Sequence, residues 1–174
     1  RFPGPRPLAD LLRLTGGNPF FVEELIPGRA DMVPRDLREV VMTRVSALGE
    51  TERRLLRLAS VGGPLVDPGV LARVANADPG WLQDRLRHLI DRHHLVVTGD
   101  EIAFRHALSQ EVIYGELLPG ERTALHRSYA DHLQSLAPGR TGEIAHHLLL
   151  AGDHGAAFLA SVAAGDDAAR RGAK

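Results

Sequence analysis

The chain has 174 residues, 44% of them apolar, and its 21 basic and 22 acidic residues give a formal net charge of -1. That length and apolar content allow one packed domain or two small ones, and the balanced charge supplies no overall field to draw in a polyanion, so any nucleic-acid contact must be local. The absence of cysteine excludes disulfides, thiolate metal sites and cysteine nucleophiles; no apolar run approaches the ~18 residues of a membrane span and no signal-peptide pattern is present, which suits a cytoplasmic protein. The chain begins at Arg1 without a methionine, as expected of a piece of a larger protein.

Leu8, Leu11 and Leu12 fit one face of a short helix that stops at Gly16-Gly17. Asn18-Pro19 then reads as a cap and first-turn proline, opening a second short helix through Phe20, Phe21 and Leu25. Pro27 to Val33 reads as a connector. From Pro34 the helical spacing of Leu37, Val40, Val41, Val45 and Leu48 is strong, with Gly49 as the expected stop. Thr51 is the expected cap of the next helix, in which Leu55, Leu56 and Ala59 face inward before Gly62-Gly63 ends it. Asp67-Pro68 and Asp78-Pro79 repeat the cap-then-proline opening. They start helices bearing Val70, Leu71 and Val74, then Leu82, Leu86, Leu89 and Ile90.

After that helix the period changes. Leu95 and Val97 alternate, Thr98-Gly99-Asp100 signals a turn, and Ile102 and Phe104 alternate again, which predicts a two-stranded hairpin. Three helices followed by a β-ribbon is the order of a winged helix. Beyond the ribbon, Leu108, Val112 and Leu118 are assigned to one helix and Leu125, Tyr129, Leu133 and Leu136 to the next, with Pro119-Gly120 between them. Pro138 to Gly142 forms another break before a helix over Ile144 to Ala151 and an alanine-rich one from about His154 towards Arg171. Short helices joined by tight turns are expected to open an α-solenoid.

His106 falls at the predicted joint of strand and helix. Helix N-termini carry unpaired N–H groups and partial positive charge, so a histidine there can help hold an anion such as a phosphate; the plainer role is to satisfy a local backbone group. Other chemistry is sparse. No GxxxxGK[ST] loop occurs, and Lys174 is the only lysine, so a complete P-loop nucleotide hydrolase is not contained in this chain. His93-His94 and His146-His147 are adjacent pairs that would diverge on a helix, and no HExxH occurs, which argues against a metal site. Ser60, Ser109 and Ser161 lack a nucleophile-elbow setting. The helix from Pro79 to about Arg92 holds the place of a DNA-reading helix and offers Arg85, Arg87 and Arg92, but Asp78, Asp84 and Asp91 dilute their charge.

Four stretches carry a family likeness: TGGNPFFVEEL (Thr15 to Leu25), VPRDLREVV (Val33 to Val41), FRHAL (Phe104 to Leu108) and LLPGER (Leu117 to Arg122). In this order and spacing the sequence resembles the segment downstream of the nucleotide-binding core in STAND-type ATPases, especially the large ATP-binding regulators of LuxR type. The resemblance implies a mainly α chain in three parts: the end of a helical lid domain (1–32), a winged helix (33–118) and the start of a TPR-like sensor (119–174). It implies that Gly17, Asn18 and Pro19 match the family's GxP motif, whose proline packs on adenine, and that His106 matches the histidine that contacts the β-phosphate of ADP in the resting state. Ala107 stands where relatives with an MHD motif keep aspartate, so only the histidine role carries over.

The implied cofactors are ADP or ATP with Mg in the intact parent and none in the isolated segment. The implied partners are its own ATPase core upstream, sensor and effector domains downstream, and further copies on activation, with DNA bound through another domain and no membrane contact. Two other readings remain open: a DNA-binding winged-helix repressor using Arg85, Arg87 and Arg92, and a helical interaction module without a ligand.

Overall fold

Helical periodicity gives way to a short β-ribbon at Leu95, and the computed structural model, which describes residues 35–172, follows that change. The side chains of residues 35–37 and 171 are not part of the description. The two helices expected before Pro27, the connector from Pro27 to Val33 and the Gly17-Asn18-Pro19 motif therefore lie outside the described residues. Within them the chain is mainly helical with one small antiparallel sheet. In order the elements are α1 (Arg35–Ser46), α2 (Glu50–Val61), β1 (Leu65–Val66), α3 (Pro68–Ala75), α4 (Pro79–Asp91), β2 (Leu95–Thr98), β3 (Glu101–Phe104), α5 (Ala107–Gly115), α6 (Pro119–Leu136), α7 (Thr141–Leu150) and α8 (His154–Gly172).

Among the described residues these elements form two units, one comprising 35–67 with Gly80–Glu116, the other Pro68–Pro79 with 117–172. In the first, β3 is the central strand, flanked by β2 and β1. The hairpin register pairs Thr98 with Glu101 and Leu95 with Phe104, so the turn is Gly99-Asp100, with Gly99 at φ 61°, a conformation that glycine adopts without a Cβ clash. The sequence reading lacked a third strand. β1 has only two residues, too few for alternation to register, yet Leu65 pairs with Ala103 and Val66 with Ile102.

Leu55 and Leu56 of α2, Leu82, Leu86 and Leu89 of α4, and Leu108, Val112 and Ile113 of α5 are buried; each such side chain stabilises the fold by about 1.5–3 kcal/mol. Helix α5 packs on α2 and α1. Its Gln110 Nε2 donates to the Ser60 carbonyl at 2.6 Å, and an ion pair joins Arg38 of α1 to Glu116 at its C-terminal cap. Helix α4 is tied to α2 through Arg85 and Glu52, 3.2 Å apart.

In the second unit α3 packs on α6, α6 on α7 and α7 on α8. Arg127 of α6 pairs with Asp153 at 2.7 Å, at the link between α7 and α8. Thr141 at the start of α7 donates to Asp167 of α8 at 3.3 Å.

Several boundaries move by a residue or a turn. Helix α1 ends at Ser46, and Gly49 is the N-cap of α2, with Thr51 inside its first turn. A Cβ on Gly49 would come within 2.6 Å of the Glu52 carboxylate, so a larger cap would oblige that side chain to shift. Leu118 does not continue α5 but caps α6, its N–H donating to Glu121 at 2.8 Å; Pro119-Gly120 forms the first turn of α6 rather than a spacer. Gly142 likewise lies inside α7, which runs only to Leu150. The buried stripe of α6 is His126, Tyr129, Ala130 and Leu133, while Leu125 is half-buried and Leu136 exposed. That rotation brings His126 against α7.

Candidate functional site

The end of α4 determines where the site can form. His93 N–H donates to the Ile90 carbonyl at 2.9 Å and His94 N–H to the Leu89 carbonyl at 3.0 Å, the paired bonds of a Schellman stop. The motif requires a left-handed residue just past the helix, and His93 supplies it at φ 61°. Asn76 after α3 and Gly152 after α7 make the same stop at φ 50° and 77°, with the residue types that tolerate it best. His93-His94 is thus not a helical pair. The left-handed turn sends His93 outward and His94 inward, where it is 9% exposed.

His94 then meets the end of the ribbon. Its carbonyl accepts the Arg105 N–H at 3.0 Å, and Phe104 N–H donates to the Pro64 carbonyl at 2.8 Å, so the strands are held up to the residue before His106. His106 is extended, at φ -131° and ψ 126°, and forms the N-cap of α5. Its carbonyl accepts the Ser109 N–H at 2.9 Å. The predicted joint of strand and helix is therefore present, with the histidine on it.

Beside the joint is a hollow of about 20 Å³. Arg44, His93, His94, His106 and Ser109 supply its polar wall and Val40, Val41 and Leu108 its apolar one, and no carboxylate lines it among the described residues. A volume of that size admits one small polar group and excludes a nucleotide base. The first turn of α5 contains no acidic residue, so its N-terminal partial charge is not offset from within the helix. Burial is the first cause that holds His106 below the usual imidazole range, followed by Arg105 and Arg44. His94 is lowered chiefly by burial, then by Arg44, Arg92 and His93. Both rings are thus biased to the neutral form until a negative charge enters.

The His94 ring forms no hydrogen bond among the described residues. The left-handed backbone at His93 costs energy that glycine would not incur, and strain of that kind is found beside binding sites. Neither Arg44 nor His94 stands out in the sequence, because one is an ordinary exposed helix arginine and the other becomes inward-facing only through the left-handed turn.

Two of the three arginines considered for DNA, Arg85 and Arg87, are paired with carboxylates. Arg85 is paired with buried Glu52, and Arg87 with Asp84 at 2.9 Å; Arg92 is exposed beyond α4.

A second histidine cluster lies in the other unit. His126 of α6 and His147 of α7 are buried with their Nδ1 atoms 2.8 Å apart, so one must donate and the other accept. Tyr129 stacks on His147 at 5.0 Å, and His146 meets both rings edge-on. Burial first, then His146 and Arg122, lowers His126 to about 4. Burial, then His126, His146 and Arg140, lowers His147 to about 3. A dry pair of neutral rings packs two helices together. Among the described residues no group of three histidines or carboxylates is placed to hold a metal ion, and no helix is long and apolar enough to cross a membrane.

Comparison of the chain with protein-family models, with curated proteins and with solved structures finds no match.

Proposed function

We propose that this chain is a regulatory segment of a STAND-type signalling ATPase, in a transcription regulator of the large ATP-binding LuxR type, and that its winged helix holds the ADP-bound resting state. The observation that carries the reading is the placement of His106 at the start of α5, on a small hollow that it shares with Arg44 and buried His94 and that no carboxylate lines among the described residues. The residues fit a phosphate. They provide cationic and ring N–H donors, a helix N-terminus and room for one small group. Ala107 fits the same picture, since an aspartate at that position would place a competing negative charge in the first turn.

The winged-helix assignment rests on element order. Helix α2, strand β1, helices α3 and α4 and the β2–β3 ribbon follow one another, and β1 closes the sheet against β3. The sensor assignment rests on α6, α7 and α8, each packed on the next, the nearest-neighbour pattern of a solenoid.

In the intact protein a P-loop core supplies ATP chemistry with Mg; this segment contributes no catalytic residue. Gly17, Asn18 and Pro19 are assigned to the base and His106 to the β-phosphate. Inducer binding to the downstream helices separates the histidine from the nucleotide, which permits exchange for ATP and assembly with further copies. Such a switch works only if inducer and ADP favour different states through different contacts. The test is ADP retention by the intact protein carrying His106→Ala: loss of retention together with inducer-independent output supports the reading, and wild-type behaviour in both opposes it. The DNA-contact alternative draws no support from Arg85, whose charge faces the buried Glu52 carboxylate.

A further inference from the structure

We propose that Arg44 and His94 complete the site at His106, so that the mouth of the hollow takes a single phosphoryl dianion, one oxygen of it inside, held from α1, from the link before β2 and from the start of α5. The proposal rests on the reading of His106 as a phosphate-facing residue and adds two residues to it. The chain contributes four positively charged or protonatable groups, Arg44, His93, His94 and His106, to a hollow with no carboxylate on its described wall. One of them, the His94 ring, belongs to a residue only 9% exposed and makes no hydrogen bond among the described residues, so it is available to donate to an oxyanion. The sequence reaches this arrangement through His93 in a left-handed conformation, where glycine would be easier. Ser109, one turn into α5, places a hydroxyl on the same wall.

Charge and size select the ligand class. At about 20 Å³ the hollow has space for about one water-sized group, such as a single phosphoryl oxygen, and not for a base or sugar, so the rest of any nucleotide would lie outside it. Inorganic phosphate is consequently a sufficient probe. After burial, the groups among the described residues that lower the two rings are Arg44 from α1, Arg92 and His93 from the link after α4, and Arg105 beyond β3, all of them basic. A dianion reverses that bias, and its binding draws protons onto His94 and His106. Affinity expressed per dianion, after correction for the protonation of phosphate itself near neutral pH, should therefore rise as pH falls from about 8 to about 6.

The experiment is a titration of the 174-residue chain with inorganic phosphate at constant ionic strength, followed through the histidine ring resonances. The expected result is a saturable shift of the His94 and His106 signals and an upward move of their titration midpoints. Arg44→Gln should weaken phosphate binding by about tenfold, the value of one charge-assisted hydrogen bond; Arg44 is exposed on α1, so the variant keeps its fold. His94→Gln should do the same and abolish part of the pH dependence. If Arg44→Gln and His94→Gln bind phosphate like the parent while His106→Ala does not, the added residues are wrong and the role of His106 survives. If the parent chain shows no saturable phosphate binding, the phosphoryl site itself is overturned, and nucleotide retention by the intact protein is then judged on its own measurement.

Discussion

Arg85 lies in the middle of α4, where its charge alone makes it a candidate for contact with nucleic-acid phosphates. Its position relative to Glu52 gives it a different task. Glu52 is 7% exposed, and a carboxylate so far removed from water needs a cation more than a surface carboxylate does. We expect Arg85→Ala to lower stability by about 1–2 kcal/mol, a figure reduced from that of a fully buried pair because the arginine is partly in solvent; the midpoint of urea unfolding measures it. An unchanged midpoint would show that the pair is worth nothing. The partner stands 33 residues away, and nothing in a single sequence marks so distant a pairing. Arg87 and Asp84, one turn apart on one helix, are legible at once from the three-residue spacing. His106 was also legible, because an alternating strand and a helical period meet at it. His94 was not, since its direction depends on one backbone angle.

That angle belongs to the scale of the element. Helix stops are usually read from glycine or asparagine, and the stops after α3 and α7 use Asn76 and Gly152. The stop after α4 carries His93 at the same position, so the sequence gives no punctuation and the two histidines are easily taken for a helical pair. We expect His93→Gly to raise the thermal midpoint of the first unit, corresponding to about 0.5–1 kcal/mol, through relief of the left-handed Cβ clash. A fall in the midpoint would mean that the imidazole of His93 contributes more than its backbone costs.

The long amphipathic helices and the hairpin follow from periodicity, and Pro68 and Pro79 open their helices where the cap-then-proline signal places them. The misplacements have local causes. A two-residue strand is too short to alternate, Pro119-Gly120 and Gly142 sit in first turns that tolerate them, and the rotation of α6 is set by packing on α7.

At the scale of the molecule, two units each contain buried histidines, and this gives stability a definite dependence on pH. His126 and His147 are lowered to about 4 and about 3 in the folded chain, against about 6.5 when unfolded. Between these values the unfolded chain binds more protons than the folded one, so stability is full above about pH 7 and falls on acidification, by up to about 1.4 kcal/mol per pH unit for each histidine. The lowered His94 and His106 act in the same direction in the other unit. We expect the urea midpoint of the α6–α8 unit to drop between pH 7 and pH 5, and the double variant His126→Leu/His147→Leu to flatten that dependence. An equally steep dependence in the double variant would place the acid sensitivity elsewhere.

Nucleotide sensing is the central claim, and retention of ADP by the intact protein tests it most directly. Dissociation of bound ADP from the parent and from His106→Ala should be compared at one pH and salt concentration. The account predicts release faster by about 10- to 100-fold in the variant, the loss of a charge-assisted contact to phosphate. Equal release rates, with the variant folded, would contradict it.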